Sequence, residues 1–204
     1  MKTITCLLAT LFTLALLSFT KPEPNAYQIN DAARDFSLKN VDGKYVALKD
    51  YSKAKGIILI FTCNHCPFSK AYEDRIITLH NKYEAKGFPV VAINSNDAIA
   101  YPEDSYENMQ ERAKDKKFPF AYLHDESQEI AKMYGATKTP HVYLLLKVKD
   151  KFIVRYIGAI DDNSNEPELV KQKYVEQAIT EILSGQEISV PFTKAIGCSI
   201  KWKK

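Results

Sequence analysis

Two cysteines separated by two residues are the strongest chemical signal in the sequence. They belong to a Cys-Asn-His-Cys-Pro segment at residues 63–67, after the continuously apolar run Ile57–Phe61 and before a helical pattern. A cysteine at a helix N-terminus faces unpaired N–H groups and the positive end of the helix dipole, which favour a thiolate. The spacing predicts thiol–disulfide exchange, in which Cys63 is the nucleophile and Cys66 resolves the mixed disulfide.

The residues alone leave other uses of these cysteines open. A static structural disulfide would close a loop of only two residues, so it would restrict the unfolded chain little and add little stability. A metal site could use both cysteines with His65 and His141, because thiolate and imidazole are suitable ligands, although no second Cys-x-x-Cys completes a zinc site. Haem attachment is excluded, since Pro67 occupies the position that this motif reserves for histidine.

His65 and Cys198 are further candidates. An imidazolium between the two cysteines would stabilise the Cys63 thiolate, and the alternative is a solvated histidine at a helix start. Cys198 lies in a Gly-Cys-Ser segment near the C-terminus. Of the 4 cysteines, three remain if the N-terminal segment is removed, and an odd number indicates a free or exchanging thiol. Cys198 is therefore either a third redox participant or an inert thiol.

The surrounding pattern alternates strands and helices. Apolar runs predict strands at 57–61, 90–93, 120–123, 142–146 and 152–157, helices are expected at 69–86, 103–116 and 127–134, and an Asp-Gly turn joins 35–38 to 45–48 as a hairpin. Asn165, Pro167 and Glu168 resemble the start of a last helix that ends at Gly185, and the acid-rich stretch 161–168 is expected to be a solvated loop and helix cap. This order predicts an α/β sandwich with a mixed sheet.

Composition narrows the function classes. The 204 residues carry a formal net charge of +3 without a basic block, which argues against a nucleic-acid partner. The uncharged apolar run after Met1-Lys2 has the length of a signal-peptide core, and Pro22 and Pro24 follow it. We expect residues 1–20 to be a cleaved export signal and the mature protein to be secreted or periplasmic, without a membrane contact unless the signal stays uncleaved.

Six stretches together resemble the peroxiredoxin-like thioredoxin-family proteins of the redoxin group. They are Phe61–Phe68, Ala92–Asp97, Tyr101–Ser105, Leu123–Ser127, Gly135–Pro140 and Ile196–Trp202. The resemblance implies a thioredoxin fold, with a central mixed β-sheet, helices on both faces and an N-terminal β-hairpin. It also implies a redox-active dithiol at Cys63 and Cys66, and a cis-Pro140 that forms a substrate groove with Thr139. A cis-proline would leave the backbone of Thr139 free to pair with an extended substrate.

Departures from the family pattern limit what it implies. Thr62 stands where thioredoxins carry a tryptophan, the strand 57–61 holds no acid, and the peroxidatic motif of true peroxiredoxins is absent. Lys138 stands where relatives often carry a further cysteine. Dithiol exchange is therefore expected and peroxidase activity is the weaker alternative, with metal binding or delivery as another.

The predicted organisation is a signal at residues 1–20, a linker at 21–31, a thioredoxin-like domain at 32–185 and a C-terminal tail at 186–204. The predicted function is an exported thiol–disulfide oxidoreductase. Its expected partners are protein thiols or disulfides and an upstream dithiol protein that supplies or accepts electrons. No organic cofactor or metal is required by this prediction.

Overall fold

The computed structural model describes residues 26–204, so the predicted signal segment lies outside the described residues. Ten strands and four helices follow one another along this part of the chain. The strands are β1 (Ala32–Ala33), β2 (Ser37–Asn40), β3 (Tyr45–Ala47), β4 (Gly56–Thr62), β5 (Val90–Asn94), β6 (Ala121–His124), β7 (Lys138–Thr139), β8 (His141–Val148), β9 (Lys151–Gly158) and β10 (Cys198–Ser199). The helices are α1 (Pro67–Tyr83), α2 (Tyr106–Asp115), α3 (Glu129–Tyr134) and α4 (Tyr174–Leu183).

Strand β4 occupies the middle of an eight-stranded mixed sheet with the order β1-β9-β8-β4-β5-β6-β2-β3. It runs parallel to β5, with Ile58 opposite Val90, and antiparallel to β8, with Ile57 opposite Leu145. Every residue of β4 is buried, because side chains on both faces of a central strand are covered. The apolar run 57–61 therefore brings the segment 63–67 to the end of the central strand.

Helices cover both faces of the sheet, as the thioredoxin fold requires. Ile58 and Ile60 of β4 point into a core formed with α1 and α4. Ile57 and Leu59 point into a second core, to which α3 contributes. The alternation follows from the two-residue period of a strand. The predicted α/β class and thioredoxin fold are confirmed.

The N-terminal strands β2 and β3 pair antiparallel, with Ser37 opposite Ala47. The turn between them is closed by the N–H of Gly43, which donates to the carbonyl of Asn40 at 2.8 Å. Gly43 has a φ of +86°, a conformation that glycine adopts without the steric cost of a side chain. This pair extends the sheet beyond β6.

The last helix starts later than the sequence pattern predicted. Pro167–Leu169 forms only one turn of 3-10 helix, and α4 begins at Tyr174. The preceding loop is held away from a helical course by Arg75, whose guanidinium donates to the carbonyls of Asn163 at 2.6 Å and Ser164 at 2.8 Å.

The expected solvated acidic loop is also wrong at Asp161. Its buried carboxylate accepts hydrogen bonds from Tyr72 at 2.6 Å and from Arg75 at 2.9 Å. This ion pair ties the start of the loop to α1, whereas the other acids of the stretch, Asp162, Glu166 and Glu168, are exposed as expected.

The C-terminal residues cross the domain surface and return to the sheet region. Phe192 forms a parallel bridge with Ile157 of β9, and β10 pairs antiparallel with β7. At the other end, Tyr27 and Ile29 of the predicted linker pack against the core beside α3. The domain boundaries at residues 32 and 185 stay predictions. Within residues 26–204, no helix is both long enough and apolar enough to span a membrane.

Candidate active site

Cys63 and Cys66 lie between the central strand and the helix that follows it. Cys63 comes directly after β4 and is 3% exposed, while Cys66 is 0% exposed and occupies the N-cap position of α1. Pro67 is the first helical residue, where its missing N–H would have no intrahelical partner. The Cys66 carbonyl accepts the N–H of Lys70 at 3.0 Å. The strand–helix junction expected for an exchange dithiol is present.

Two hydroxyl groups contact the Cys63 sulfur. Thr139 Oγ1 lies 3.2 Å away and accepts the thiol proton, and Ser69 Oγ lies 3.5 Å away. Burial raises the pKa of the Cys63 thiol, and the nearby negative charge of Asp104 raises that pKa further. The two hydroxyl groups act in the opposite direction. The helix terminus predicted a favoured thiolate, but desolvation outweighs it here.

Thr139 stands between the two cysteines of the motif. Its hydroxyl contacts Cys63, and its carbonyl oxygen lies 3.4 Å from the Cys66 sulfur. The Thr139–Pro140 peptide bond is cis, as the resemblance implied. The backbone of Thr139 was expected to be free for an extended substrate, but it is paired with β10 of the same chain, with Cys198 directly opposite Thr139.

The disulfide of this structure joins Cys66 to Cys198, with their Cα atoms 6.1 Å apart. Cys63 is the free cysteine among residues 26–204. The sequence predicted Cys63 and Cys66 as the exchanging pair, and it left the role of Cys198 open. The tail places Cys198 at the motif because β10 aligns beside β7, an antiparallel pairing of two residues that sequence periodicity does not signal.

Sequence reasoning missed a buried carboxylate at the site. Asp104 is 0% exposed and accepts hydrogen bonds from the N–H of Asn64 at 2.6 Å, from Asn94 Nδ2 at 3.2 Å and from Asn96 Nδ2 at 2.9 Å. It also contacts His65 Nδ1. The thioredoxin pattern would place such an acid in the strand before Cys63, whereas this acid comes from a turn 40 residues after Asn64. The acidic turn Tyr101–Ser105 and the asparagines at 94 and 96 were the available signals.

His65 directs its ring towards Asp104. The imidazole stacks on Tyr101 with ring centroids 5.0 Å apart, and its side chain is 18% exposed. The expected role as a charge partner of Cys63 alone is therefore incomplete, because the His65 ring contacts the Asp104 carboxylate as well. The free solvated histidine is also not what is observed.

One cluster near the motif offers ligands for a metal ion. Donor atoms of Cys63, His65 and Asp104 lie within 4.8 Å of one another. This set differs from the one considered from the sequence, since Cys66 is engaged in a disulfide and His141 lies apart in β8. His141 Nδ1 accepts the N–H of Thr137 at 3.3 Å, and burial lowers the pKa of His141 to about 4.

Comparisons with known proteins find relatives among redox enzymes. The thiol-disulfide oxidoreductase ResA of Oceanobacillus iheyensis is 30% identical over 135 residues, which cover 64% of this chain and 66% of that protein. The chloroplastic peroxiredoxin Q of Triticum aestivum is 29% identical over 150 residues, which cover 66% of this chain and 58% of that protein. The chain thus spans less than two thirds of the length of these two relatives.

A solved structure matches over more of the chain. The crystal structure of an uncharacterized conserved protein from Geobacillus kaustophilus is 40% identical in sequence and has a TM-score of 0.80. The match covers 88% of this chain and 94% of that chain. A model of the AhpC/TSA family matches residues 29–163. The resemblance to peroxiredoxin-like, thioredoxin-fold proteins is confirmed, and the chain belongs to the AhpC/TSA family.

Proposed function

We propose that this protein is a thiol–disulfide oxidoreductase that exchanges disulfides with partner proteins through Cys63 and Cys66. The surroundings of Thr139 carry this proposal. Its hydroxyl contacts the Cys63 sulfur, and its backbone pairs with an extended segment that bears a cysteine. A protein substrate would need the same arrangement, because strand addition positions a peptide by its backbone and leaves the sulfur to react.

The exchange proceeds in two steps. The Cys63 thiolate attacks one sulfur of a substrate disulfide, which forms a mixed disulfide and releases the other substrate sulfur as a thiolate. The Cys66 thiolate then attacks the Cys63 sulfur, which forms the Cys63–Cys66 disulfide and releases the reduced substrate. Ser69 and Thr139 hydroxyl groups, which contact Cys63, can donate hydrogen bonds to its thiolate. The reverse sequence oxidises a substrate dithiol.

The relatives support the same chemistry. The similar protein of Oceanobacillus iheyensis is a thiol-disulfide oxidoreductase, and the segment 63–67 lies inside the family match at residues 29–163. We extend the activity to this chain because its two sulfurs and Thr139 are adjacent. The predicted partners are protein thiols or disulfides, together with an upstream dithiol protein as electron donor or acceptor.

Mixed-disulfide trapping tests the proposal. Reduced Cys66→Ser protein, mixed with a peptide that contains one disulfide, should accumulate a covalent adduct through Cys63, since the resolving thiol is missing. Cys63→Ser protein is the matched control and should form no such adduct. Insulin reduction should fall to the uncatalysed rate in Cys63→Ser. Equal rates in Cys63→Ser and the wild type would overturn the proposal.

Thiol peroxidase is the second candidate function. The similarity to peroxiredoxin Q favours it, but peroxide cleavage needs donors that polarise the O–O bond. The side-chain hydrogen bonds of Cys63 within residues 26–204 go to Thr139 and Ser69 alone. Arg75 and Arg112 are occupied by Asp161 and Glu73. Saturable, rapid hydrogen peroxide consumption that requires Cys63 would favour the peroxidase over disulfide exchange.

Metal binding is the remaining alternative, supported by the cluster of Cys63, His65 and Asp104. Reduced protein titrated with Co²⁺ would develop thiolate charge-transfer absorption if the cluster binds metal tightly. Asp104→Asn should then weaken binding. Absence of the absorption at micromolar Co²⁺ would reject this function.

We also propose that the protein works outside the cytoplasm, as the apolar segment after Met1-Lys2 and the Cys66–Cys198 disulfide suggest together. Disulfides persist in such compartments. N-terminal sequencing of the protein from a cell-envelope or culture-medium fraction should give a new N-terminus near residue 21. An intact Met1 on protein found in the cytoplasm would contradict both the export and the predicted signal boundary.

A further inference from the structure

We propose that Cys198 is a third redox residue, which takes over the disulfide formed by Cys63 and Cys66 and presents it to the electron donor. This inference rests on the proposed thiol–disulfide exchange and adds a step to it. The observation behind it is the Cys66–Cys198 disulfide within a strand pair at the candidate substrate groove.

Strand pairing fixes the position of Cys198. The register of β10 places Cys198 opposite Thr139 and Ser199 opposite Lys138. A Cβ atom at Gly197 would lie 2.2 Å from the carbonyl oxygen of Thr139. Because real Cβ contacts of this length do not occur, only glycine lets the chain approach Thr139 so closely at this point. Gly197 thus lets the tail pack directly against Thr139, the residue that contacts the sulfurs of Cys63 and Cys66.

Contacts on the C-terminal side of Cys198 hold the tail independently of the disulfide. The N–H of Ile200 donates to the Thr137 carbonyl at 3.1 Å, and Ile200 is 4% exposed. The Lys201 carbonyl accepts the N–H of Asp97 at 2.8 Å and Gln128 Nε2 at 2.7 Å. Because these bonds do not involve sulfur, we expect residues 200–201 to stay docked after reduction, while Cys198 and Ser199 can give way to a substrate strand at Thr139. The Cys198 thiol then remains beside Cys66 at a high effective concentration.

The added step is an intramolecular exchange that needs no external oxidant. After substrate reduction, the enzyme holds a Cys63–Cys66 disulfide and a Cys198 thiol. The Cys198 thiolate attacks the Cys66 sulfur, the Cys66–Cys198 bond forms, and the Cys63–Cys66 bond breaks with Cys63 as the leaving thiolate. One disulfide is lost and one is gained, and Cys63 takes up the proton that Cys198 gave up. The result is the connectivity observed, with Cys63 as the free thiol.

Burial explains what the transfer achieves. Cys63 and Cys66 are 3% and 0% exposed, whereas Cys198 is only partly buried. A donor thiolate must approach a disulfide sulfur in line with the bond, so exposure selects the sulfur that is attacked. Once the disulfide reaches Cys198, a donor dithiol protein attacks Cys198 and releases Cys66 as the leaving thiolate. A second donor thiol then resolves the mixed disulfide.

Time-resolved disulfide mapping tests the transfer. Reduced full-length protein, with Cys6→Ser in every sample, is mixed with one equivalent of glutathione disulfide, quenched in acid at intervals, alkylated and mapped by mass spectrometry. The wild type should first form Cys63–Cys66 and then convert it to Cys66–Cys198, with Cys63 alkylated at the end. Cys198→Ser should stop at Cys63–Cys66 and lose the second phase. Ser199→Ala is the matched control and should behave as the wild type.

The outcomes separate this inference from the proposed function. If wild type and Cys198→Ser both end at Cys63–Cys66 and reduce insulin equally, the transfer is rejected while the exchange activity stands. If Cys63→Ser forms Cys66–Cys198 as fast as the wild type, the bond does not originate from the Cys63–Cys66 pair, and the transfer is again rejected. If no sample forms a Cys63–Cys66 disulfide, both proposals fail.

Discussion

The reactivity of Cys63 is a balance between burial, one negative charge and two hydroxyl groups. Burial and the carboxylate of Asp104 raise the pKa of Cys63, and the hydroxyls of Thr139 and Ser69 oppose them. His65 Nδ1 contacts the Asp104 carboxylate. A hydrogen bond from the His65 ring to the Asp104 carboxylate therefore offsets part of the charge that disfavours the thiolate. Substitutions of Asp104 and of His65 are therefore expected to change the reactivity of the Cys63 sulfur in opposite directions.

Asp104→Asn should speed alkylation of Cys63 at pH 7 several-fold, because removal of the negative charge lowers the pKa of Cys63. His65→Ala should slow it, because the Asp104 carboxylate then loses its hydrogen bond from the His65 ring. The measurement is the rate of iodoacetamide labelling as a function of pH, in protein that carries Cys6→Ser and an intact Cys66–Cys198 disulfide. In that form Cys63 is the free thiol.

Asp115→Asn serves as the charge control for this comparison. It removes the same charge from an exposed position of α2 and should leave the labelling profile unchanged. If Asp104→Asn and Asp115→Asn give the same profile as the wild type, the acid does not set the reactivity of Cys63.

At the scale of residues, the sequence predicted that the two cysteines and Thr139 belong to the site, but it did not predict the charged residue beside them, Asp104. The cysteines and the Thr139-Pro140 pair are local motifs with their own spacing, so they can be recognised in isolation. Asp104 reaches His65 across 39 residues of chain, and it comes from a short turn without periodicity. Its role depends on burial, which only the folded chain defines.

At the scale of elements, β10 behaves as an added strand on β7. The same backbone edge at Thr139 is where the proposed function places a substrate strand, so tail and substrate compete for it. Docking requires the close approach that Gly197 allows. If a substrate strand binds there as proposed, a more tightly paired β10 should slow its access to Thr139.

Gly197→Val should undock β10, because its side chain would overlap the Thr139 carbonyl. We expect faster hydrogen exchange at residues 197–201, little Cys66–Cys198 disulfide after oxidation, and a faster first turnover with a disulfide peptide. Ile196→Val, at an exposed neighbouring position, is the matched control and should change none of these. Unchanged exchange rates at residues 197–201 in Gly197→Val would show that the tail does not depend on this contact.

The sequence predicts an element well when the residues that define it are consecutive, and poorly when the element depends on a distant partner. The segments that form β4, β5 and β8 are long and apolar, so their consecutive residues already predict buried strands. Strand β10 has two residues and exists only because β7 lies beside it. The capping pattern at 165–168 is local as well, but the anchoring of the preceding loop by Arg75 overrides it.

At the scale of the whole molecule, the Cys66–Cys198 disulfide closes a loop of 132 residues. Loop-closure entropy gives such a cross-link up to about 5 kcal/mol of stability, by restricting the unfolded chain. Oxidised wild type should therefore unfold at a higher urea concentration than reduced wild type. Cys198→Ser should lose this difference, although it can still form Cys63–Cys66. Equal midpoints for oxidised and reduced wild type would show that the Cys66–Cys198 cross-link adds nothing to global stability.

Buried His141 makes the stability of the whole molecule depend on pH. Burial lowers the pKa of His141 from 6.5 to about 4, so between these values the unfolded chain binds a proton that the folded chain does not. Stability should therefore fall as pH drops through this window, and a single group with this shift accounts for about 3 kcal/mol.

His141→Asn removes this titration and keeps an acceptor for the Thr137 N–H that His141 Nδ1 accepts. Urea unfolding at pH 7.0, 6.0, 5.0 and 4.5 should give a shallower loss of stability in the variant than in the wild type, with both proteins fully reduced. The pKa values of His80 and His124 are also lowered by burial, but these residues are present in both proteins, so their effect cancels in the difference. The substitution also changes packing, which shifts the whole stability curve without changing its slope. Parallel curves would mean that His141 is protonated in the folded protein as readily as in the unfolded chain, and that its burial in β8 does not control acid stability.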